Sequence, residues 1–542
     1  MSPLLLLLHG CPAEPAAKNV QNTVFVALDT PRLARRISID LRGTLPTRVD
    51  LDLASEPGGL DRLIDTWLED DRLEAHLVDV FAESWQLRLD VLRLESEEFG
   101  LGFEHQYHIT RAFGDEPAHL IANVIAKNQP FTSIVTTDVT MANALLVDFL
   151  PVEWVDPEGQ AEWREARYTD GRPPNGVLAT SGLWLRYHTT IFNFNRGRAA
   201  ALAKLLLCVD IASRPVGFST TVDESTEGLQ EAVSTDPGCL ACHASLDPLA
   251  GTLWGFWPYE DRDLGELVNY HPEREGLSVE STGVQPAYFG TPVVAAAQLG
   301  QLVAADPRFA MCTARRTAER MWGRTTDETD EADVAQLRDQ LIESWDYKAL
   351  LRGILASEEY RAGGLVAGAT AADLERAKPR RLLSPNSLAS LIEEVTGFRW
   401  RYVTWDQLDS DDTGYRLLLG GADGDSVRVS NLEPTLSRSL VIRRLAQSAA
   451  AAALGTDLAA PRAGRRLVGT TTDDILGLTP DSAAFDAELD EIHFLLFASP
   501  RDEVERTAEA ELFSAALAVS DAKGAWASLL AVLLRDPELW TY

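Results

Sequence analysis

Ser384-Pro385-Asn386-Ser387-Leu388-Ala389-Ser390-Leu391-Ile392-Glu393-Glu394-Val395-Thr396-Gly397 reads as one complete α-helix with both of its ends. Ser384 is placed to cap the first turn, and Pro385 falls where a missing N–H costs nothing. Leu388, Leu391, Ile392 and Val395 recur at helical spacing, and Gly397 ends the run. The same period appears elsewhere. Leu60, Leu63, Ile64, Trp67 and Leu68 share it, as do Val334, Leu337 and Leu341, and then Leu350, Leu351, Ile354 and Leu355. Alternation of the strand kind is scarce, with Ser426-Val427-Arg428-Val429 the best short example. The expected fold class is mainly α.

A chain of 542 residues is too long for a single core, so a multi-domain helical protein is expected. Small and basic residues with little apolar period fill 363–381, which reads as a linker between a helical region at 23–362 and a helical domain at 382–542. A second irregular stretch runs from Ala459 to Arg466. Leu350-Leu351, Ile354-Leu355 and Glu359 recur as Leu529-Leu530, Leu533-Leu534 and Glu538, a loose echo that suggests two related helical halves. The formal charge of −33 keeps the chain soluble and argues against nucleic acid as a partner, because an acidic surface repels phosphate.

At the start, Leu4 to Leu8 form a short apolar run followed by His9-Gly10-Cys11-Pro12. This is similar to the end of a bacterial lipoprotein signal, with Cys11 as the lipidated residue and 1–22 as signal and tether. A basic leader and a full-length apolar region are missing from it. No later stretch reaches 18 uninterrupted apolar residues. Export to the periplasm or cell envelope is expected, with the membrane reached through a lipid anchor only.

The five cysteines divide without remainder: Cys11 for lipid, Cys239 with Cys242, and Cys208 with Cys312 as a disulfide or as two buried thiols. Cys239-Leu240-Ala241-Cys242-His243 is the most specific chemical pattern in the chain. Two thiols three positions apart can add to the two vinyl groups of a haem, and the next residue then offers imidazole to the iron. Zinc would ask for a second close ligand pair, which the sequence lacks. A redox thiol pair would open a helix after a strand, whereas Asp236-Pro237-Gly238 reads as a loop. Covalent haem c is therefore the favoured cofactor, in a cytochrome c-like segment around 230–325 with a haem-binding loop region. Met311, Met321, His188 and His271 are the candidates for a sixth ligand, and an open position stands beside them.

Arg35-Arg36-Ile37-Ser38-Ile39-Asp40-Leu41-Arg42-Gly43, then Leu45-Pro46-Thr47, resembles the opening of cytochrome-linked domains found in planctomycetes and myxobacteria. Asn128-Gln129-Pro130-Phe131-Thr132, Asn143 and Phe149-Leu150-Pro151 are similar to a second signature of that group. Gly176-Val177-Leu178 and Arg196-Gly197-Arg198 lead to the pentapeptide as they do there, and Cys242-His243-Ala244-Ser245-Leu246-Asp247-Pro248-Leu249 continues the likeness. Ala318 to Arg324, Ser357 to Tyr360 and Tyr415 to Asp423 resemble later segments. The resemblance implies an exported multi-module protein with a c-type haem, often paired with a second exported protein. Two departures stand out: Phe192-Asn193-Phe194-Asn195 replaces the usual Ser/Thr-rich lead-in, and Leu246 stands where methionine is common.

Asp409-Ser410-Asp411-Asp412-Thr413-Gly414 begins like a calcium loop, but its twelfth position is Gly420, so a solvated acidic turn is expected. His105 and His108 lie three apart without the further ligands zinc needs. No nucleophile elbow, phosphate loop or dinucleotide fingerprint is present. The functional expectation is an electron carrier rather than a catalyst, exchanging electrons with a redox partner protein in the cell envelope. Two alternatives stay open: a haem-dependent oxidoreductase or peroxidase linked to polymer breakdown, and a non-catalytic envelope lipoprotein with a Cys239–Cys242 disulfide.

Overall fold

The computed structural model describes residues 24–88, 94–211, 213–214, 226–259, 263–293, 296–378, 380–411, 414–423, 426–431 and 433–542. The Leu4–Leu8 run and Cys11 lie outside them. The fold is mainly helical, with helix over 61% of the chain and strand over 6%. Among its helices are α1 (Thr30–Arg42), α2 (Asp71–Ser84), α3 (Gln106–Ala126), α4 (Arg196–Leu207), α5 (Pro237–Gly251), α6 (Pro307–Trp322), α7 (Pro385–Thr396), α8 (Leu436–Ala459) and α9 (Ala522–Leu533). No helix among the described residues is long and apolar enough to cross a membrane.

Helix α7 forms as its sequence dictates. The Ser384 side chain accepts from the Ser387 N–H, Pro385 sits in the first turn, and Gly397 closes the helix at φ +69°. Its apolar face enters a core made of residues 383–540, joined by Ile39 and Leu45. A larger core gathers residues 33–360 and Ala498. Helix α1 is the seam between them: Ile37 and Leu41 face the larger core while Ile39 faces the other, and every residue from Leu33 to Arg42 is buried. The two arginines in this helix hold backbone from two distant parts of the chain. Arg35 donates to the carbonyls of Leu496, Glu538 and Leu539, and Arg36 to those of Tyr360 and Ala362. Gly43 caps α1 at φ +67°, and a Cβ there would stand 2.6 Å from His76 Nδ1, so α1 and α2 meet over a glycine that nothing larger replaces.

The structure departs from two sequence expectations here. Residues 363–381 are not a featureless linker. Ala362–Leu365 pairs antiparallel with Phe25–Ala27, and Ala371–Ala377 is a helix with Thr370 in a capping box. The small residues serve close approach, since a Cβ on Gly363 would stand 2.6 Å from Leu28. Ser426–Val429 is not a strand. The largest sheet among the described residues is three-stranded, with Arg164–Tyr168 between Thr140–Ala142 and Val152–Trp154. Its charged central strand hides the alternation that would have revealed it. The irregular stretch after α8 folds back onto that helix, because buried Asp457 accepts from the N–H groups of Arg466, Leu467 and Val468.

Candidate haem-attachment site

Cys239, Cys242 and His243 lie in the first turns of α5, not in a loop. Asp236 caps this helix by accepting from the Gly238 and Cys239 N–H groups, and Pro237 occupies the first turn. Asp-Pro here does what Ser-Pro does in α7. The glycine that follows suggested a turn, but the cap and the proline decide the local structure. The preceding element is the helix Thr226–Thr235, so the pair does not follow a strand as in thioredoxin-like proteins.

Both thiols are half-buried and unbridged. Cys239 and His243, four residues apart, share one face of the helix, and Cys242 lies to one side. His243 Nδ1 is 2.9 Å from Asp247 Oδ1. Arg196 closes on the same carboxylate with two bonds, Nε to Oδ1 at 2.7 Å and Nη2 to Oδ2 at 3.0 Å. Burial alone would raise the Asp247 carboxyl, but the hydrogen bonds from His243 and Arg196 outweigh it and hold the group below its ordinary range. Asp247 is therefore an anion at neutral pH. It fixes the His243 proton on Nδ1 and leaves Nε2 with the lone pair that a metal requires.

A cavity of about 660 Å³ opens beside this imidazole, within the size range of cofactor clefts. Phe192, Phe194, Leu240, His243, Asp247 and Pro248 are among its walls. Phe194 stacks on Trp254 and Trp257, with ring centroids 6.0 and 6.3 Å apart. Phe194 and Asn195 both take left-handed backbone (φ +53° and +62°), and Asn195 donates to the Leu253 carbonyl. The Phe192-Asn193-Phe194-Asn195 run thus contributes to the apolar wall and starts α4. On α4, Arg198 is fully buried and donates to the carbonyls of Tyr187, Trp184 and Phe256 and to Asn195 Oδ1. Loss of water lowers its pKa to about 9.

Two thiols and an oriented imidazole on one helix are the donor set that a covalently held haem needs; His243 lines the cleft, whereas neither Cys239 nor Cys242 does, and Cys242 Sγ faces the Ile211 carbonyl at 3.8 Å. None of Met311, Met321, His188 and His271 lines that cleft. Met321 is wholly buried in the larger core and Met311 packs against the same core. His271 lies 3.4 Å from Glu273. Cys208 and Cys312 are joined in a disulfide that ties the end of α4 to α6. Asp409 is buried and paired with Arg111 and Arg416, so the expected solvated acidic turn is corrected to an internal ion-pair site. His105 and His108 are exposed at the start of α3. Among the described residues no group of three or more His, Cys, Asp or Glu could hold a metal ion. Sequence reasoning missed the roles of Asp247 and Arg196. The His243–Asp247 spacing of four carries the information, but only once the segment is known to be helical. Comparison with protein families, curated proteins and solved structures returns no match for this chain.

Proposed function

We propose that this chain is an exported c-type cytochrome-like lipoprotein. It carries one haem on Cys239 and Cys242 with His243 as axial ligand, and exchanges electrons with a partner protein of the cell envelope. The observation that supports this most is the Arg196–Asp247–His243 chain of hydrogen bonds, which orients an imidazole beside an apolar cleft one helical turn from a thiol. Carboxylate support of this kind is characteristic of metal-ligating histidines. When bound, the haem supplies a one-electron iron couple. The protein's own residues anchor it, orient His243 and exclude water from one face. The reading also fits the likeness of the flanking segments to exported cytochrome-linked domains, and Cys11 as a lipid anchor.

Proteolysis of protein matured in cells with cytochrome c maturation tests the attachment. The peptide spanning Cys239 to His243 should carry a haem mass adduct, lost in the Cys239→Ser, Cys242→Ser variant. A peptide with free or disulfide-bonded cysteines would instead support the non-catalytic lipoprotein.

One observation favours a second reading, a haem-dependent oxidoreductase: no methionine and no second histidine lines the cleft among the described residues. An exchangeable sixth position would show as a ferric spectrum that shifts on adding cyanide. A ligand-insensitive low-spin spectrum would exclude it.

A further inference from the structure

We infer that a second cavity, between the two cores, binds a neutral aromatic compound that carries a carbonyl oxygen. The cavity has a volume of about 390 Å³ and lies among α2, α6, the start of α7 and residues 428–430, a size that suits two fused rings. Its buried wall is aromatic. Phe81, Phe131, Phe309 and Tyr347 line it, and all four are buried. Their rings run on from one another. Phe131 stacks on Tyr347 and on Phe309, with centroids 4.9 and 5.9 Å apart, and Phe81 tilts against Tyr347 at 6.0 Å. A flat apolar body meets ring faces and edges there.

Charge balance favours a neutral ligand over an ion of either sign. Lys378 Nζ is 3.0 Å from Glu433, and Arg381 Nη1 is 3.6 Å from Asp40. Arg316 feels the Glu319 carboxylate, and Arg320 acts on the Glu83 carboxyl. Arg428 is exposed to water, which screens it. An ion entering this balanced setting would leave one charge unmatched away from water, a cost that a neutral ligand avoids.

One polar need is left over. Arg381 is 3% exposed and donates through Nη2 to the Tyr360 carbonyl, while its Nε and Nη1 have no hydrogen-bond partner among the described residues. Asp40 already balances the charge of this guanidinium, so its N–H groups lack an acceptor rather than a second anion. A buried donor left unpaired is costly. A carbonyl oxygen on the ligand pairs it without bringing charge. The cavity shares no lining residue with the cleft beside His243, so the inference stands whether or not haem is attached.

Equilibrium dialysis of the full chain against four naphthalenes tests this: 1-acetonaphthone, 1-ethylnaphthalene, 1-naphthoate and 1-naphthylmethylammonium. Wild-type protein should bind one acetonaphthone per chain at least tenfold more tightly than either ion. It should bind the ethyl compound, which lacks the oxygen, at least threefold more weakly than acetonaphthone. Thr313→Trp on α6 and Ser387→Phe on α7 each fill the cavity and keep every charge. Each should abolish binding while retaining the wild-type circular dichroism spectrum. Either ion binding as tightly as acetonaphthone would overturn the inference. So would equal binding of the ethyl compound, or acetonaphthone binding that neither variant changes.

Discussion

His243 and Asp247 stand one turn apart on the same helix with Nδ1 2.9 Å from Oδ1, and Arg196 from the neighbouring helix holds the far side of that carboxylate. The pair makes the imidazole a better donor than an isolated histidine would be, because hydrogen bonding to an anion raises the basicity of the opposite nitrogen. In haem-matured protein, Asp247→Asn should leave the thioether attachment intact and raise the midpoint potential, since a weaker donor stabilises ferric iron less. Potentiometric titration reads this directly. An unchanged potential would remove Asp247 from the account.

Arg198 is a cation held only by neutral oxygens, three of them backbone carbonyls. Arg198→Met should cost about 3–5 kcal/mol, because the buried acceptors lose their donor together. Urea denaturation measures it. A loss below about 1 kcal/mol would mean that water replaces the guanidinium there.

The Cys208–Cys312 disulfide closes a loop with a sequence separation of 104. Cys208→Ser with Cys312→Ser should lower stability by about 3–5 kcal/mol, chiefly by freeing the unfolded chain. The midpoint of unfolding with and without a reducing agent gives the same comparison in wild-type protein.

His76 supplies a pH dependence. Burial, with a smaller contribution from Arg320, lowers its pKa from 6.5 to about 3, so the folded protein keeps it neutral where the unfolded chain takes up a proton. Stability from this group is whole above pH 6.5 and falls as pH drops towards 3. By about pH 4.5 the loss should reach about 2–3 kcal/mol. His76→Gln should remove that portion of the acid sensitivity, measured as the difference in unfolding free energy between the two pH values.

Helices were the most legible part of this chain. Ser384-Pro385 and Gly397 mark both ends of α7, and the apolar period between them matches the face that is buried. The echo between Leu350–Glu359 and Leu529–Glu538 corresponds to two helices, each followed by a four-residue helix. What escaped was tertiary. Arg35 and Arg36 look like surface residues in sequence, yet their donors reach carbonyls more than 300 positions away. Asp409 reads as solvated until Arg111 and Arg416 are seen beside it. At the candidate site the pentapeptide is legible in the sequence, but its helical setting is not. Pro237-Gly238 reads as a turn although Asp236 caps a helix there, and without the helix the pairing of His243 with Asp247 has no geometric basis.

The pyridine haemochrome spectrum of purified protein, produced with a cytochrome c maturation system, tests the central claim most directly. Retention of haem through acid-acetone extraction and a reduced α band of the thioether-linked type is the predicted result, absent in the Cys239→Ser, Cys242→Ser variant. A colourless protein from the same cells, folded and with both thiols intact, would contradict it.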